Sequence, residues 1–210
     1  MKINFNANNN QKYKPSFGAI KLYNVGLKQL TGKGKHVLVP AVFSKLLSED
    51  VPMMKNIYPK WGTTKYGKEI INSYLDKHNA RDNFAYFPPT NSEFYAIMQE
   101  GISSKNDKIR ALAKIYNFRS FFEVQYIQSE SKVGKGNTIK GAGEVLMYGI
   151  VKKAKELQKK VVFLISTADE WYQKMGFKKV GYDPCSSSFE LDASKYDEFL
   201  KKIEKKYNFN

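Results

Sequence analysis

The stretch that decides the fold is "NTIKGAGEVLMYGIVKKAKEL", residues 137–157. It opens as a turn rich in glycine and lysine and then predicts a helix from about Gly141 to Leu157. The helix begins on three small residues, Gly141, Ala142 and Gly143. A helix start leaves backbone N–H groups without intrahelical partners and carries about half a unit of positive charge, which small residues leave open to an anion. The turn is therefore predicted to hold a phosphate or pyrophosphate.

Two common nucleotide-binding motifs do not fit this turn. A P-loop fails because Gly136 and Gly141 are not followed by a Lys-Ser/Thr pair. A dinucleotide fingerprint fails because the position of its third glycine holds Leu146. Lys140 and Lys135 add positive charge to the turn. The alternative to an anion site is a glycine-rich turn that only packs.

The segments on either side of the turn predict the sheet. "FFEVQYIQ", residues 121–128, precedes it, and the unbroken apolar run "VVFLIS", residues 161–166, follows the helix. This order is a strand, helix, strand crossover between parallel strands. "EFYAIMQE" (93–100) and "RALAKIYNF" (110–118) precede with short connections, as in an antiparallel meander. The fold class is therefore predicted as α/β, with a mixed, mostly antiparallel central sheet, one parallel pair and helices on both faces.

The rest of the chain completes one predicted domain, residues 17–210, after a flexible polar arm at residues 1–16. Further strands are predicted at 18–30, 177–182 and 186–192. Helices are predicted at 64–78, 167–175 and 193–207, and short helical turns, broken by prolines, at 40–61.

Composition excludes several classes of protein. No apolar run approaches the roughly 18 residues of a membrane span, and the N-terminus lacks the apolar stretch of a secretory signal. One cysteine and two histidines provide too few ligands for a His/Cys zinc site, so no metal is predicted. A cytoplasmic protein, monomer or homodimer, without a membrane partner is expected. The formal charge of +15 favours anionic partners, although many lysines fall on predicted helix surfaces.

Two motifs in order carry a family resemblance. The loop has glycines at Gly141 and Gly143, and further on come Ala168, three residues, Tyr172 and then Gly-Phe at 176–177. This half of the chain resembles the acyl-CoA-binding half of the GCN5-related N-acetyltransferase (GNAT) superfamily. In that family the loop is Gln/Arg-x-x-Gly-x-Gly/Ala, and the later signature is an alanine, three residues and a tyrosine.

The resemblance covers about residues 120–182 and departs from the family at the start of the loop. Thr138 stands where the family has Gln or Arg. A side-chain contact to phosphate is therefore missing there, or Lys140 or Lys135 supplies it.

The resemblance implies that acetyl-CoA and a primary amine meet in a V-shaped gap between the strands at 121–128 and 161–166. The pantetheine arm would pair with backbone around Val124, Tyr126 and Ile127. The pyrophosphate would rest on the loop. The cofactor-binding residues implied there are Thr138, Lys140, Gly141, Ala142, Gly143 and Glu144.

Tyr172 is the candidate general acid that the resemblance implies. Thiolate character develops on the CoA sulfur when the amine attacks, and a phenol with a pKa near 10 is protonated at neutral pH and can donate to it. Thr167 and Glu170 have capping-box spacing, which would fix the helix that carries Tyr172. The alternative is that Tyr172 is only a core aromatic residue.

Glu123 is the candidate base. Alternation along the strand places Glu123 and Gln125 on one face and Phe122, Val124 and Tyr126 on the other. An alkylammonium must lose a proton before it attacks, and Glu123 could take it directly or through water. An exposed strand carboxylate is the alternative reading, and Glu190 is a weaker candidate.

The sequence thus predicts an N-acetyltransferase that transfers an acetyl group from acetyl-CoA to an amine by direct attack. Two alternatives stay open: an inactive CoA-binding module of the same fold, and a basic nucleic-acid-binding protein. A nucleic-acid-associated acceptor is compatible with the first. The sequence does not identify the acceptor.

Overall fold

The structure is a computed structural model that describes residues 18–32, 34–79, 91–103, 107–130, 138–166, 168–183 and 185–208. The predicted arm at 1–16 lies outside the described residues. So do Lys135, Gly136 and Thr167.

In the described residues, nine strands form one sheet in the order β6-β1-β2-β3-β4-β5-β7-β9-β8. Their bounds are β1 Ile20–Leu30, β2 His36–Lys45, β3 Ser92–Gln99, β4 Ile109–Asn117, β5 Phe121–Ser129, β6 Ile139–Lys140, β7 Val161–Ser166, β8 Lys178–Asp183 and β9 Ser186–Asp192. The β5–β7 pair is parallel, and every other strand pair in the described sheet is antiparallel. The predicted fold class is confirmed.

Within the described ranges, five α-helices cover the two faces of the sheet. They are α1 Val51–Trp61, α2 Lys65–Asn79, α3 Ala142–Glu156, α4 Asp169–Met175 and α5 Tyr196–Tyr207. The core on one face contains the buried residues of α3, α4 and α5, and the core on the other face contains those of α1 and α2. In the part of the chain that the structure describes, no helix combines the length and the apolar character needed to cross a membrane.

The prediction of short helical turns from Pro40 onward is wrong for its first part. Residues 40–45 belong to strand β2, which pairs with β1 on one side and β3 on the other. Pro40 lies opposite Gly26, and its carbonyl accepts a hydrogen bond from the N–H of Glu100 at 2.9 Å. The strand therefore tolerates the proline, which keeps its acceptor although it has no donor.

Helix α1 is also longer than predicted. Pro52 lies in its first turn, where no intrahelical donor is needed, and Pro59 lies near its end. Met54, Ile57 and Trp61 of this helix are buried in the core. Their burial against the sheet outweighs the cost of the second proline.

Candidate active site

Strands β5 and β7 separate part of the way along their length. Their parallel register runs from the Phe121 and Val161 pair to the Val124 and Leu164 pair. Beyond that point β5 continues to Ser129 and β7 to Ser166. Among the described residues the two strands are therefore not paired beyond Val124 and Leu164, and this unpaired part, called the opening below, lies where a gap was predicted.

A β-bulge in β5 lies at the start of this opening. Ile115 of β4 faces Val124, whereas the preceding Lys114 faces Tyr126, so Gln125 is the extra residue. Val124 and Ile127 pack with the core that contains α3, while Tyr126 packs with the core that contains α1 and α2. The prediction that Tyr126 shares a face with Val124 is therefore wrong, because the bulge breaks the two-residue alternation.

Helix α3 begins where the sequence predicted. Gly141 is its N-cap, with φ of 80°, and no described side chain caps it. The N–H of Val145 makes the first helical hydrogen bond, to the carbonyl of Gly141 at 3.0 Å. The backbone amides of residues 142–144 therefore have no intrahelical carbonyl to bond. The sequence predicted an anion at these amides, and that site stays a prediction.

The two loop glycines are needed for different reasons. Gly141 has a left-handed backbone, and a Cβ on it would lie 1.8 Å from the hydroxyl oxygen of Tyr207. A Cβ on Gly143 would lie 3.6 Å from Trp171, an ordinary contact. Gly141 is thus required by the fold itself, whereas the space at Gly143 would accept a Cβ beside Trp171.

The chain before the loop is fastened to strand β1. The carbonyl of Thr138 accepts a hydrogen bond from the N–H of Leu30 at 2.9 Å, and Lys140 lies opposite Lys28 in the short β1–β6 pair. The side chains of Thr138 and Lys140 are exposed. Lys28 therefore joins Lys140 as a second cation at the loop, which the sequence alone did not suggest.

Glu144 is held by the last turn of α5. Its carboxylate accepts hydrogen bonds from Lys206 Nζ at 2.6 and 2.8 Å and from the Tyr207 hydroxyl at 2.7 Å. Burial and the bond to Glu144 raise the pKa of Tyr207. The Glu144 side chain is therefore directed to α5, and the backbone of Glu144 is the part that can serve the loop.

Tyr172 is a core aromatic residue whose hydroxyl lies near the end of β7. Its ring packs against Trp171, Phe177 and Phe189, and only 8% of the residue is exposed. Burial raises the pKa of its hydroxyl, and the side chain of Ser166, the last residue of β7, partly offsets this effect. The hydroxyl is thus protonated at neutral pH and lies at the end of the strand that borders the opening.

Helix α4, which carries Tyr172, starts two residues later than predicted, at Asp169. Its N-cap is Ala168, whose N–H donates to Ser166 Oγ at 2.9 Å. Thr167 lies outside the described residues, and Glu170 pairs with Lys174 at 3.1 Å. Ser166 therefore contacts the start of α4 and lies near the Tyr172 side chain.

Glu123 lies on the face of β5 away from α3. Its carboxylate accepts a hydrogen bond from Nε2 of Gln125, the bulge residue. Burial raises the pKa of Glu123, and the bond from Gln125 partly offsets this shift. A raised pKa brings a carboxylate closer to the range in which it serves as a base near neutral pH. Glu190 lies on β9, opposite Phe163 of β7.

A group of aromatic side chains around Lys114 lies on the same face. Tyr66 of α2 stacks on Tyr126 with ring centroids 5.9 Å apart. The Nζ of Lys114 lies 5.1 Å from the ring centre of Tyr116 and 5.8 Å from that of Tyr126, and it donates to Ser73 Oγ at 3.1 Å. Burial lowers the pKa of Lys114. The sequence predicted none of this cluster, because its members come from α2, β4 and β5.

No protein-family model matches the sequence, and no curated protein matches it. Solved structures match by fold. A probable GNAT-family acetyltransferase from Chromobacterium violaceum is 10% identical, with 85% of this chain and 91% of that chain covered and a TM-score of 0.51. Apo FdhC, a nucleotide-linked sugar GNAT, is 15% identical, with 86% and 96% covered and a TM-score of 0.50.

The N-acetyltransferase PseH of Campylobacter jejuni, in complex with acetyl coenzyme A, is 19% identical, with 72% of this chain and 98% of that chain covered and a TM-score of 0.47. The chain has the GNAT fold, as the first two comparisons show. The resemblance found in the sequence is therefore confirmed at the level of fold.

Proposed function

We propose that this protein is an N-acetyltransferase that binds acetyl-CoA and transfers its acetyl group to a primary amine within a ternary complex. The observation that carries the proposal is the opening between β5 and β7 beyond Val124 and Leu164. The start of α3, which no described side chain caps, supports a site for the pyrophosphate of the acyl donor. The Tyr172 hydroxyl, beside Ser166 at the end of β7, is the proposed proton donor.

The donor would bind mainly through the backbone. Its pyrophosphate would accept hydrogen bonds from the amides of residues 142–144, where the positive end of the α3 dipole favours an anion. Lys140 and Lys28 would add charge in place of the Gln or Arg that Thr138 replaces. The pantetheine arm would form hydrogen bonds with the β5 backbone from Val124 to Ile127. The described pairing of β5 with β7 ends at Val124 and Leu164.

In the proposed reaction the amine nitrogen attacks the acetyl carbonyl and the C–S bond breaks. The CoA sulfur leaves as a thiolate, and the Tyr172 hydroxyl donates a hydrogen bond or its proton to it. Burial keeps the Tyr172 phenol protonated across the neutral range. The products are an N-acetylated amine and free CoA.

Glu123 is proposed as the group that takes the proton of the incoming ammonium, directly or through water. The amine would enter from the face that carries Glu123, Tyr66 and Tyr126. On this face Tyr66 is exposed and Tyr126 is partly buried. Aromatic faces and a carboxylate favour a cationic amine.

The test is release of CoA thiol from acetyl-CoA with a panel of amines, comparing the native protein with Tyr172→Phe. Loss of the hydroxyl is expected to lower kcat by roughly 10²-fold with little change in the KM for acetyl-CoA, as for the loss of a general acid. Tyr196→Phe is the matched control, because Tyr196 is a buried tyrosine of α5 whose hydroxyl has no hydrogen-bond partner among the described residues.

Activity that falls in Tyr172→Phe and persists in Tyr196→Phe supports the assignment. Equal activity in both variants would remove Tyr172 from the chemistry. Saturable acetyl-CoA binding without thiol release for any amine would favour the inactive CoA-binding module instead.

A further inference from the structure

Glu144 presents an electrostatic problem for the proposed donor site. It lies in the first turn of α3, next to the amides at which a pyrophosphate would bind. A carboxylate there would repel a phosphate within a few ångströms. The start of α3 therefore suits a phosphorylated donor only if the Glu144 charge is neutralised or directed away.

The last turn of α5 meets this requirement. Lys206 Nζ contacts both carboxylate oxygens of Glu144, and the Tyr207 hydroxyl donates to one of them. The Tyr207 hydroxyl also fills the space beside Gly141 where a Cβ would lie. Only 18% of the Glu144 side chain is exposed, so the carboxylate is held against α5.

The ring of Tyr207 is itself flanked by cations. Lys28 Nζ lies 5.4 Å and Lys206 Nζ 5.6 Å from its centre. Lys28 lies on β1 opposite Lys140 of the loop. The C-terminal helix thus brings a hydroxyl and an ammonium group to the same turn that bears the Glu144 charge.

We infer that Lys206 and Tyr207 are positioning residues for the acyl donor, because they hold the Glu144 carboxylate away from the phosphate-binding amides. The inference rests on the proposed function. Helix α5 would thus strengthen the binding of acyl donors that carry phosphate. It would act through Glu144, without contacting the donor.

The experiment is calorimetric titration at fixed, low ionic strength with acetyl-CoA and, as a probe without phosphate groups, S-acetylpantetheine. Lys206→Ala and Tyr207→Phe are each expected to weaken acetyl-CoA binding roughly three- to tenfold, the effect of one uncompensated charge near a phosphate at the protein surface. Lys205→Ala is the matched control, because Lys205 is an exposed lysine of the same helix turn and its replacement removes the same charge. Thermal unfolding of each variant checks the fold.

Glu144→Gln separates indirect from direct action. If Lys206 acts through Glu144, Lys206→Ala has no further effect on acetyl-CoA binding in the Glu144→Gln background. If the Lys206→Ala effect persists there, Lys206 contacts the donor directly and the inference is wrong. S-acetylpantetheine binding should be the same in all variants.

Different results would overturn the proposed function and the role of α5. A native protein that does not bind acetyl-CoA overturns the proposed function and, with it, this inference. A native protein that binds acetyl-CoA, with Lys206→Ala and Lys205→Ala giving the same affinity, overturns only the role of α5.

Discussion

The two loop glycines, which a sequence motif treats alike, should respond differently to alanine. Gly141→Ala places a methyl group on a backbone with φ of 80°, 1.8 Å from the Tyr207 hydroxyl oxygen. A non-glycine residue in the left-handed region costs about 1–2 kcal/mol. Displacement of Tyr207 also breaks its hydrogen bond to the Glu144 carboxylate, and a bond to a charged group is worth about 1.5–3 kcal/mol. Because the site relaxes in part, we expect a total loss of about 2–4 kcal/mol in the free energy of unfolding.

Gly143→Ala is the comparison. Its Cβ would meet Trp171 at 3.6 Å, without a clash. Alanine is a better helix former than glycine, so the free energy of unfolding should stay within about 1 kcal/mol of the native value. Urea denaturation of the three proteins, followed by fluorescence and circular dichroism, measures the difference.

Similar unfolding free energies for Gly141→Ala and the native protein would refute this reasoning. They would mean that Tyr207 does not occupy the space beside Gly141. A destabilisation of equal size in both variants would also contradict it, because the contacts at the two positions differ.

Two further variants test the base and the packing of α3. The proposed base must be ionised to act, and burial raises the pKa of Glu123 above the ordinary 4.5. The kcat/KM of the native protein should therefore fall as the pH drops through that raised pKa. Glu123→Gln should abolish this dependence on pH. A pH profile that is unchanged in Glu123→Gln would exclude Glu123 as the base. Gly149→Ala should lower the free energy of unfolding by about 1–3 kcal/mol in urea denaturation, because its Cβ would lie 2.2 Å from the Phe43 ring, which Tyr23 and Tyr95 hold by stacking. A stability equal to or above that of the native protein would show that Phe43 moves aside at no cost.

The elements around the crossover could be predicted from the sequence because their patterns are local. The strands predicted at 161–166, from an apolar run, and at 186–192 have the bounds that the structure has. The small residues at 141–143 marked the start of α3. Each of these signals lies within one turn or one strand, and local propensity and tertiary packing agree there.

The wrong predictions arose where tertiary structure overrides a local signal. Pro40 suggested the start of a helix, but the pairing of β2 between two strands makes residues 40–45 a strand. The bulge at Gln125 has no pattern in the sequence, and it places Tyr126 on the opposite face from the one that alternation predicted.

The contacts of Glu144 could not be predicted from the sequence for a different reason. Tyr207 follows Glu144 by 63 residues along the chain, and Lys206 follows it by 62. No local pattern connects a helix start to the last turn of a terminal helix. Only the packing of α5 beside α3 brings them together.

Binding of acetyl-CoA at the start of α3 is measured by calorimetric titration, with Gly143→Glu as the variant and Gln158→Glu as its control. Gly143→Glu adds a carboxylate at the start of α3, and Gln158→Glu adds the same charge on an exposed residue just past its other end. We expect saturable binding of acetyl-CoA by the native protein and by Gln158→Glu, and loss of this binding in Gly143→Glu. No binding by the native protein at millimolar acetyl-CoA, or equal binding by all three proteins, would contradict it.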